Sequence, residues 1–392
     1  MKIQGEVILK TGKEQSVKRY HPWIFSGAIH SHSPALSEGS WACVMDNRKN
    51  ILGYGHYHTG TIAVRVLSFG PEVPSVSFYE GKLRQCYAQR QVAGMVAPST
   101  NAYRLVHGEG DGLSGLIVDI YNKVAVIQAH SAGMENDRQM VAEALNRVFQ
   151  AERLTGIYFK SPSSHQGDIR SAYLAGEGKV PHLIRENGIE FYVDWESGQK
   201  TGFFLDQRDN RALLAHFAKD KAVLNTFCYT GGFSIYALKA GAKLVHSVDA
   251  SEKAIAMTKT NIDLNGYDSA FHACYATDTF DFLKDKPGIY EVIVLDPPAF
   301  AKHQSARHQA MKGYQRLNAE AFRVVKSGGI IFTFSCSQVV GRQLFYDTVT
   351  SSAIQSGRTI KVLHHLSQPS DHPVSIYHPE GEYLKGLVLY VE

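Results

Sequence analysis

Short apolar runs separated by turns fill the first part of the chain. Residues 7–9, 41–45, 51–55 and 61–67 are strand-like, and Asp46-Asn47-Arg48-Lys49-Asn50 between two of them signals a hairpin turn. No long helical period interrupts them. So many short strands, with edges to protect, predict a small all-β, barrel-like module over residues 1–70. Pro71-Glu72-Val73-Pro74 then breaks the chain. Beyond it, Phe78, Leu83 and Tyr87 recur at helical spacing and predict a helix over residues 77–92. Strands follow at 103–107, 115–121 and 124–130, the first two separated by the turn Gly108-Glu109-Gly110-Asp111-Gly112. An amphipathic helix over 135–149 and strands at 155–160 and 189–195 complete an α+β middle domain, residues 71–195.

From Lys221 the rhythm changes to strand alternating with helix. Buried-type strands fall at 222–226, 244–249, 291–296 and 329–334, and helices begin near Gly232, Ser251, Thr279 and Ala306. That alternation predicts a doubly wound, mostly parallel, Rossmann-like α/β sheet in a third domain, residues 196–392. A chain of 392 residues accommodates two or three such cores.

Composition changes this picture little. With 44% hydrophobic and 20% charged residues, the chain reads as an ordinary globular protein. No run of about 18 apolar residues is present to span a bilayer, so no membrane partner is expected. The N-terminus lacks the pattern of an export signal, which predicts a cytoplasmic location. The five cysteines (Cys43, Cys86, Cys228, Cys274 and Cys336) are odd in number and never spaced as C-x-x-C. Disulfides and a metal site are therefore not expected. A net charge of +4 is compatible with a nucleic-acid partner without requiring one. The oligomeric state stays open, a homodimer included.

Ligands of doubly wound sheets sit beyond the carboxyl ends of the central strands. The first strand of the third domain runs into Asn225-Thr226-Phe227-Cys228-Tyr229-Thr230-Gly231-Gly232. Gly231-Gly232 allows close backbone approach at a helix start, yet neither the dinucleotide fingerprint nor the P-loop fits. The second strand ends in Asp249, placed to accept hydrogen bonds from a ribose diol, and Asp278 lies at the end of a further strand around residues 271–276, within reach of an adenine amino group. A plain turn and helix N-caps are the bland alternatives for each piece. Taken in order, ribose and adenine recognition without a phosphate lysine points to S-adenosylmethionine.

The next strand ends in Asp296-Pro297-Pro298-Ala299-Phe300, where the prolines stiffen the turn that holds the carboxylate. The strand after that ends in Phe334-Ser335-Cys336-Ser337-Gln338, so Cys336 shares a rim with Asp296 and is the candidate nucleophile. Cys228 is the rival, although its place between Phe227 and Tyr229 looks structural. Phe300, Tyr314 and Tyr377 either stack on a target base or pack in the core. The stretch from Lys302 to Lys312 is either a solvated loop or an RNA-facing lid. In the first module, Lys18-Arg19-Tyr20-His21-Pro22-Trp23 suits phosphate contact and base stacking, with a core role for Trp23 as the alternative.

Four segments resemble one family. They are Lys200-Thr201-Gly202-Phe203-Phe204-Leu205-Asp206-Gln207-Arg208, the Asn225 to Ser234 turn, Asp296-Pro297-Pro298, and Tyr383-Leu384-Lys385-Gly386. Together they look like the RlmI family, class I methyltransferases that act on cytosine C5 of large-subunit (23S) ribosomal RNA. The run from Arg104 to Gly115 resembles that family's middle domain, and residues 1–70 resemble a PUA domain, an RNA-binding β-barrel. The resemblance implies that Phe204, Asp206 and Gln207 enclose S-adenosylmethionine, with Asn225, Phe227, Tyr229 and Gly231 beneath it. It further implies that Asp249 holds the ribose, Asp278 the adenine, and that Cys336 is the nucleophile.

The implied chemistry is addition of the Cys336 thiolate to cytosine C6, which makes C5 nucleophilic, with Asp296 supporting protonation at N3. The base that takes the C5 proton is not identified, and water can serve. Pro298 stands where RNA cytosine-C5 enzymes of another type carry a second cysteine. The implied partner is ribosomal RNA with its target base unstacked. Methylation of a base nitrogen without a covalent intermediate fits Asp-Pro-Pro as well. A non-catalytic RNA-binding assembly factor is the alternative of a different class, against which Asp249, Asp296 and Cys336 argue.

Overall fold

The computed structural model describes residues 2–161, 170–284, 288–301 and 303–392. The chain divides into two compact units: residues 1–185, 193–205 and 370–381 in one, and 186–192, 206–369 and 382–392 in the other.

The N-terminal unit opens with β1 (Gly5–Leu9), a short helix α1 (Gln15–Lys18), β2 (Trp23–Phe25), β3 (Ile29–His32), β4 (Trp41–Met45), β5 (Ile51–Tyr57) and β6 (Ile62–Phe69). These strands form one sheet in the order β2-β6-β5-β4-β1-β3. Register shifts at Ile8/Leu9, Ile24/Phe25, Val44/Met45 and Tyr54/Gly55 curve it, as bulges do. After α2 (Val76–Val92), a second sheet of order β11-β10-β9-β8-β7 contains β7 (Ala102–His107), β8 (Leu116–Tyr121), β9 (Val124–Ala129), β10 (Gly156–Phe159) and β11 (Ala172–Gly176). Trp41, Cys43, Tyr54 and Leu67 of the first sheet share one apolar core with Tyr79, Leu105, Val118 and Leu145.

The single helix expected over 135–149 is two: α3 (Ala132–Asn136) and α4 (Arg138–Val148). Asp137 between them explains the break. It is buried, and its carboxylate accepts hydrogen bonds from Trp41 Nε1 (3.0 Å) and Tyr79 Oη (2.6 Å), with His56 Nε2 also 3.0 Å away. A buried carboxylate has to be surrounded by donors in this way.

The two-stranded pair β12 (His182–Glu186) and β13 (Ile189–Val193) lies where the chain passes between units. The C-terminal unit then runs α5 (Arg208–Ala218), β14 (Ala222–Thr226), α6 (Gly232–Lys239), β15 (Leu244–Asp249), α7 (Glu252–Leu264), β16 (His272–Ala276) and α8 (Thr279–Lys284). It continues with β17 (Val292–Leu295), α9 (Arg307–Val324), β18 (Gly329–Ser335), α10 (Arg342–Ser356), β19 (Ile360–Leu366) and β20 (Lys385–Val391). The sheet order is β16-β15-β14-β17-β18-β20-β19. Pairs from β16 through β18 are parallel, while β20 lies antiparallel to β18 and β19. The central strands β14, β17 and β18 are near-continuous buried runs, as in a sheet covered by helices on both faces, whereas the edge strand β19 is largely exposed. Strand order reverses between β14 and β17, and a crevice opens at such a switch point.

Candidate functional site

The β14–α6 turn carries three left-handed residues within five positions: Phe227 (φ 53°), Tyr229 (φ 47°) and Gly231 (φ 83°). Side chains lack room as well as conformational freedom at Gly231, where a Cβ would stand 2.7 Å from Thr258 Cγ2. Helix α7 pins the turn from one side, since Thr258 Oγ1 donates to the Tyr229 carbonyl (2.9 Å) and Asn261 Nδ2 to that of Thr230 (3.0 Å). Asp249, at the tip of β15, accepts the Tyr229 N–H on Oδ2 and the Ser251 N–H on Oδ1, each at 2.9 Å. Two backbone bonds fix this carboxylate and leave it further lone pairs for a diol.

Asn225 is buried, and its Nδ2 donates to Ser234 Oγ (2.9 Å), which continues through Ser247 Oγ (2.6 Å) to His272 Nε2 (3.0 Å). Its Oδ1 is buried without a hydrogen bond. Phe227 is half-buried against the apolar core of this unit. Asp278 is exposed and serves as an N-cap, with Oδ1 accepting the N–H groups of Phe280 (2.8 Å) and Asp281 (3.2 Å). Asp206 is buried and accepts a hydrogen bond from Tyr383 Oη (2.7 Å), so two of the motif segments meet. Gln207 Oε1 accepts from Asn210 Nδ2 (2.6 Å). Phe204 belongs to the N-terminal unit, where Lys200 Nζ lies 5.0 Å from its ring centroid.

This donor set fits S-adenosylmethionine. The glycine-cornered turn after β14, the anchored carboxylate of Asp249 at the tip of the neighbouring β15 and the unsatisfied Asn225 Oδ1 are groups that suit its ribose and polar edges.

Asp296 and Cys336 follow directly on β17 and β18, which pair in parallel with Leu295 opposite Thr333. Both are half-buried. The two serines around the thiol hold it in place. Ser335 Oγ donates to Tyr314 Oη (3.0 Å), and Ser337 Oγ donates to the Ala301 carbonyl (2.7 Å), which ties this loop to the one after Asp-Pro-Pro. Burial pushes the Tyr314 hydroxyl up to about 12, and negative charge on Cys336 and Asp296 adds to the rise. Both groups therefore act on the same buried phenol. Cys228 is a different case: burial drives its thiol far above the ordinary range, Asp249 adds to this, and Thr258 Oγ1 lies 3.8 Å from its Sγ. It is a packed core thiol.

The aromatic residues offered for either base stacking or packing divide by exposure, and Tyr377 remains half exposed. Tyr314 is fully buried, and Phe300 packs on it with centroids 4.6 Å apart. Tyr377 belongs to the N-terminal unit, its ring 5.3 Å from that of Tyr20. Trp23 is half-buried, donates from Nε1 to Glu109 (2.9 Å), and is covered by His378 (4.3 Å) and Arg65 (5.6 Å). The stretch from Lys302 to Lys312 is mostly the first turns of α9 rather than a loop; Lys302 itself lies outside the described residues.

Sequence reasoning missed a buried charge cluster and a lysine. Glu186 accepts from Arg211 Nε (2.9 Å), Arg211 Nη2 (2.7 Å) and Tyr236 Oη (3.0 Å), with Arg208 Nε 3.4 Å away. Arg208, at the end of the Lys200 to Arg208 run, thus serves the interior. Lys385 is buried beside the Cys336 loop, and only its presence in the Tyr383 to Gly386 motif signalled it.

The comparisons agree with this geometry. Residues 104–378 match the family model of S-adenosylmethionine-dependent methyltransferases, and residues 7–69 match that of PUA-like domains. The Ribosomal RNA large subunit methyltransferase I of Alteromonas mediterranea is 37% identical over 403 residues, covering 99% of each chain. The protein of the same name from Shewanella amazonensis is 38% identical over 394 residues, covering 98% of each. In fold, the chain is similar to a crystallised methyltransferase complexed with SAH (TM-score 0.85, 24% identity, 98% of this chain and 100% of that one). It is equally similar to a SAM-dependent methyltransferase from Streptococcus mutans (TM-score 0.84, 24% identity, 98% and 100%). The chain belongs to the Ribosomal RNA large subunit methyltransferase I family, methyltransferases that use S-adenosylmethionine as cofactor.

Proposed function

We propose that this chain methylates C5 of a cytosine in large-subunit ribosomal RNA, with Cys336 as a covalent nucleophile. The observation that carries the reading is the placement of Asp296 and Cys336, both half-buried, just beyond the ends of the paired strands β17 and β18. When bound, S-adenosylmethionine supplies an electrophilic methyl group. Asp249 holds the ribose, Asp278 the adenine edge, and the turn from Asn225 to Gly231 forms the floor.

Cytosine C5 is a poor nucleophile, so the chain's residues have to activate it. The Cys336 thiolate adds to C6, its sulfur lone pair forming the S–C6 bond while the C5–C6 π pair shifts to C5. Asp296 holds a proton at N3 and balances the charge that develops on the ring. After C5 takes the methyl group, its proton leaves to solvent or a base. The returning electron pair then rebuilds the C5–C6 bond and expels the thiolate. Ribosomal RNA is the substrate read from the relatives' names. The half-buried site requires the base to be extruded from its stack.

Cys336→Ala is the test. Turnover on ribosomal RNA should vanish while calorimetry still registers S-adenosylmethionine binding. An alanine variant with full activity would exclude the covalent mechanism and favour transfer to a base nitrogen, which Asp-Pro-Pro also suits.

A further inference from the structure

Lys385 is buried (4% exposed) in a motif for which the reaction above has no use. Strand β20 begins with it, and the β18–β20 register places it opposite Ser335, one residue before the nucleophile. Its Nζ donates to the Ser337 carbonyl (2.6 Å), one residue after the nucleophile, and to the Tyr383 carbonyl (2.8 Å). The lysine therefore spans the strand tip on which Cys336 sits. A buried ammonium bonded to two neutral carbonyls keeps an uncompensated charge, which is costly unless an anion stands near.

We infer that Lys385 is the positioning cation for Cys336: its ammonium holds the Ser335-Cys336-Ser337 tip in place and stabilises the thiolate. The inference rests on the cysteine reading above and adds the group that activates the sulfur.

The electrostatics agree. Burial is the main cause that brings Lys385 down to about 8; negative charge on Cys336 opposes the drop and Arg342 adds to it. At neutral pH the lysine is charged. A cation beside a cysteine depresses the thiol's pKa and raises its thiolate fraction. The thiol proton goes to solvent, and the lysine keeps its own. In the free enzyme the stabilisation of the thiolate should persist until pH approaches 8 and weaken as the lysine deprotonates.

Peptide-resolved alkylation tests this without RNA. The full chain is treated with iodoacetamide across pH, and modification of the Cys336 peptide is quantified by mass spectrometry. The wild-type midpoint should fall clearly below the ordinary thiol value of about 8.5. Lys385→Gln keeps N–H donors for both carbonyls but removes the charge. Its midpoint should rise by about one unit or more, a tenfold loss of thiolate at neutral pH. Lys385→Arg should restore most of the shift, and S-adenosylmethionine binding should survive in both. A wild-type midpoint at or above 8.5 overturns the inference even if neither variant folds. So does a Lys385→Gln protein that binds cofactor with an unchanged midpoint. Neither result bears on whether Cys336→Ala is inactive, so failure here is separable from failure of the covalent mechanism.

Discussion

Asp249 and Gly231 divide the work of the cofactor turn between charge and shape. Asp249 is anchored by two backbone N–H groups, so Asp249→Ala removes the clamp on Tyr229 and, on the proposed reading, the ribose acceptor as well. Hydrogen bonds to a charged group contribute about 1.5–3 kcal/mol each, so S-adenosylmethionine affinity should fall about tenfold to a hundredfold by calorimetry. Gly231→Ala forces a side chain into a left-handed residue 2.7 Å from Thr258. Strain of this kind costs about 1–3 kcal/mol, and thermal unfolding should register it together with weaker cofactor binding. Both positions could be singled out in the sequence because a glycine turn and an acid close successive strands, although plain turns and N-caps use the same residue types. The role of Cys228 was only half legible: its neighbours suggested packing, and its burial on Thr258 settles the point. Lys385 was quoted as part of a motif, but nothing in a linear pattern says that a lysine points inward.

At the scale of elements, the alternating strands and helices from β14 to β18 were readable because buried parallel strands are continuous apolar runs. Helix α5 escaped that reading. Its buried face carries Arg208, Asn210 and Arg211, so the apolar period is broken by the charges that meet Glu186. Removing the acid takes the Glu186 counter-charge from two buried guanidinium groups. Glu186→Gln should therefore destabilise the C-terminal unit by about 3–5 kcal/mol, read as an earlier thermal transition. The division of α3 from α4 at Asp137 was equally hidden, because the donors that justify a buried carboxylate come from residues 41, 56 and 79. Helix α9 presents Arg307 and Lys312 on its exposed first turns. If this end meets the RNA backbone, the Arg307→Ala, Lys312→Ala double variant should weaken binding and lower the salt-dependence slope by about 1.5–2. Cofactor affinity should not change. An unaltered slope would remove α9 from the RNA-binding surface.

Over the whole molecule, the first sheet does not enclose all of its own apolar residues. Trp41, Cys43, Tyr54 and Leu67 are buried in the cluster that also contains Tyr79, Leu105 and Leu145. A fragment of residues 1–70 alone should therefore expose this face and show poorly dispersed amide resonances, whereas a stable, well-dispersed fragment would show that the shared cluster is dispensable. The sequence marked a break at Pro71-Glu72-Val73-Pro74, but shared cores are tertiary facts that local periodicity does not report. The C-terminal unit was more legible because strands alternating with helices imply a doubly wound parallel sheet, although its strand order and switch point appear only in the structure. What the fold leaves to chemistry is the fate of the sulfur on Cys336. The most direct measurement is to incubate the full chain and S-adenosylmethionine with a large-subunit ribosomal RNA transcript made with 5-fluorocytidine. Fluorine at C5 cannot leave as a proton does, so the adduct should be trapped. The account predicts one covalent protein–RNA species, mapped by mass spectrometry to the Cys336 peptide and absent from Cys336→Ala. Methylation of the unmodified transcript with no trapped species, or trapping through another cysteine, would contradict it.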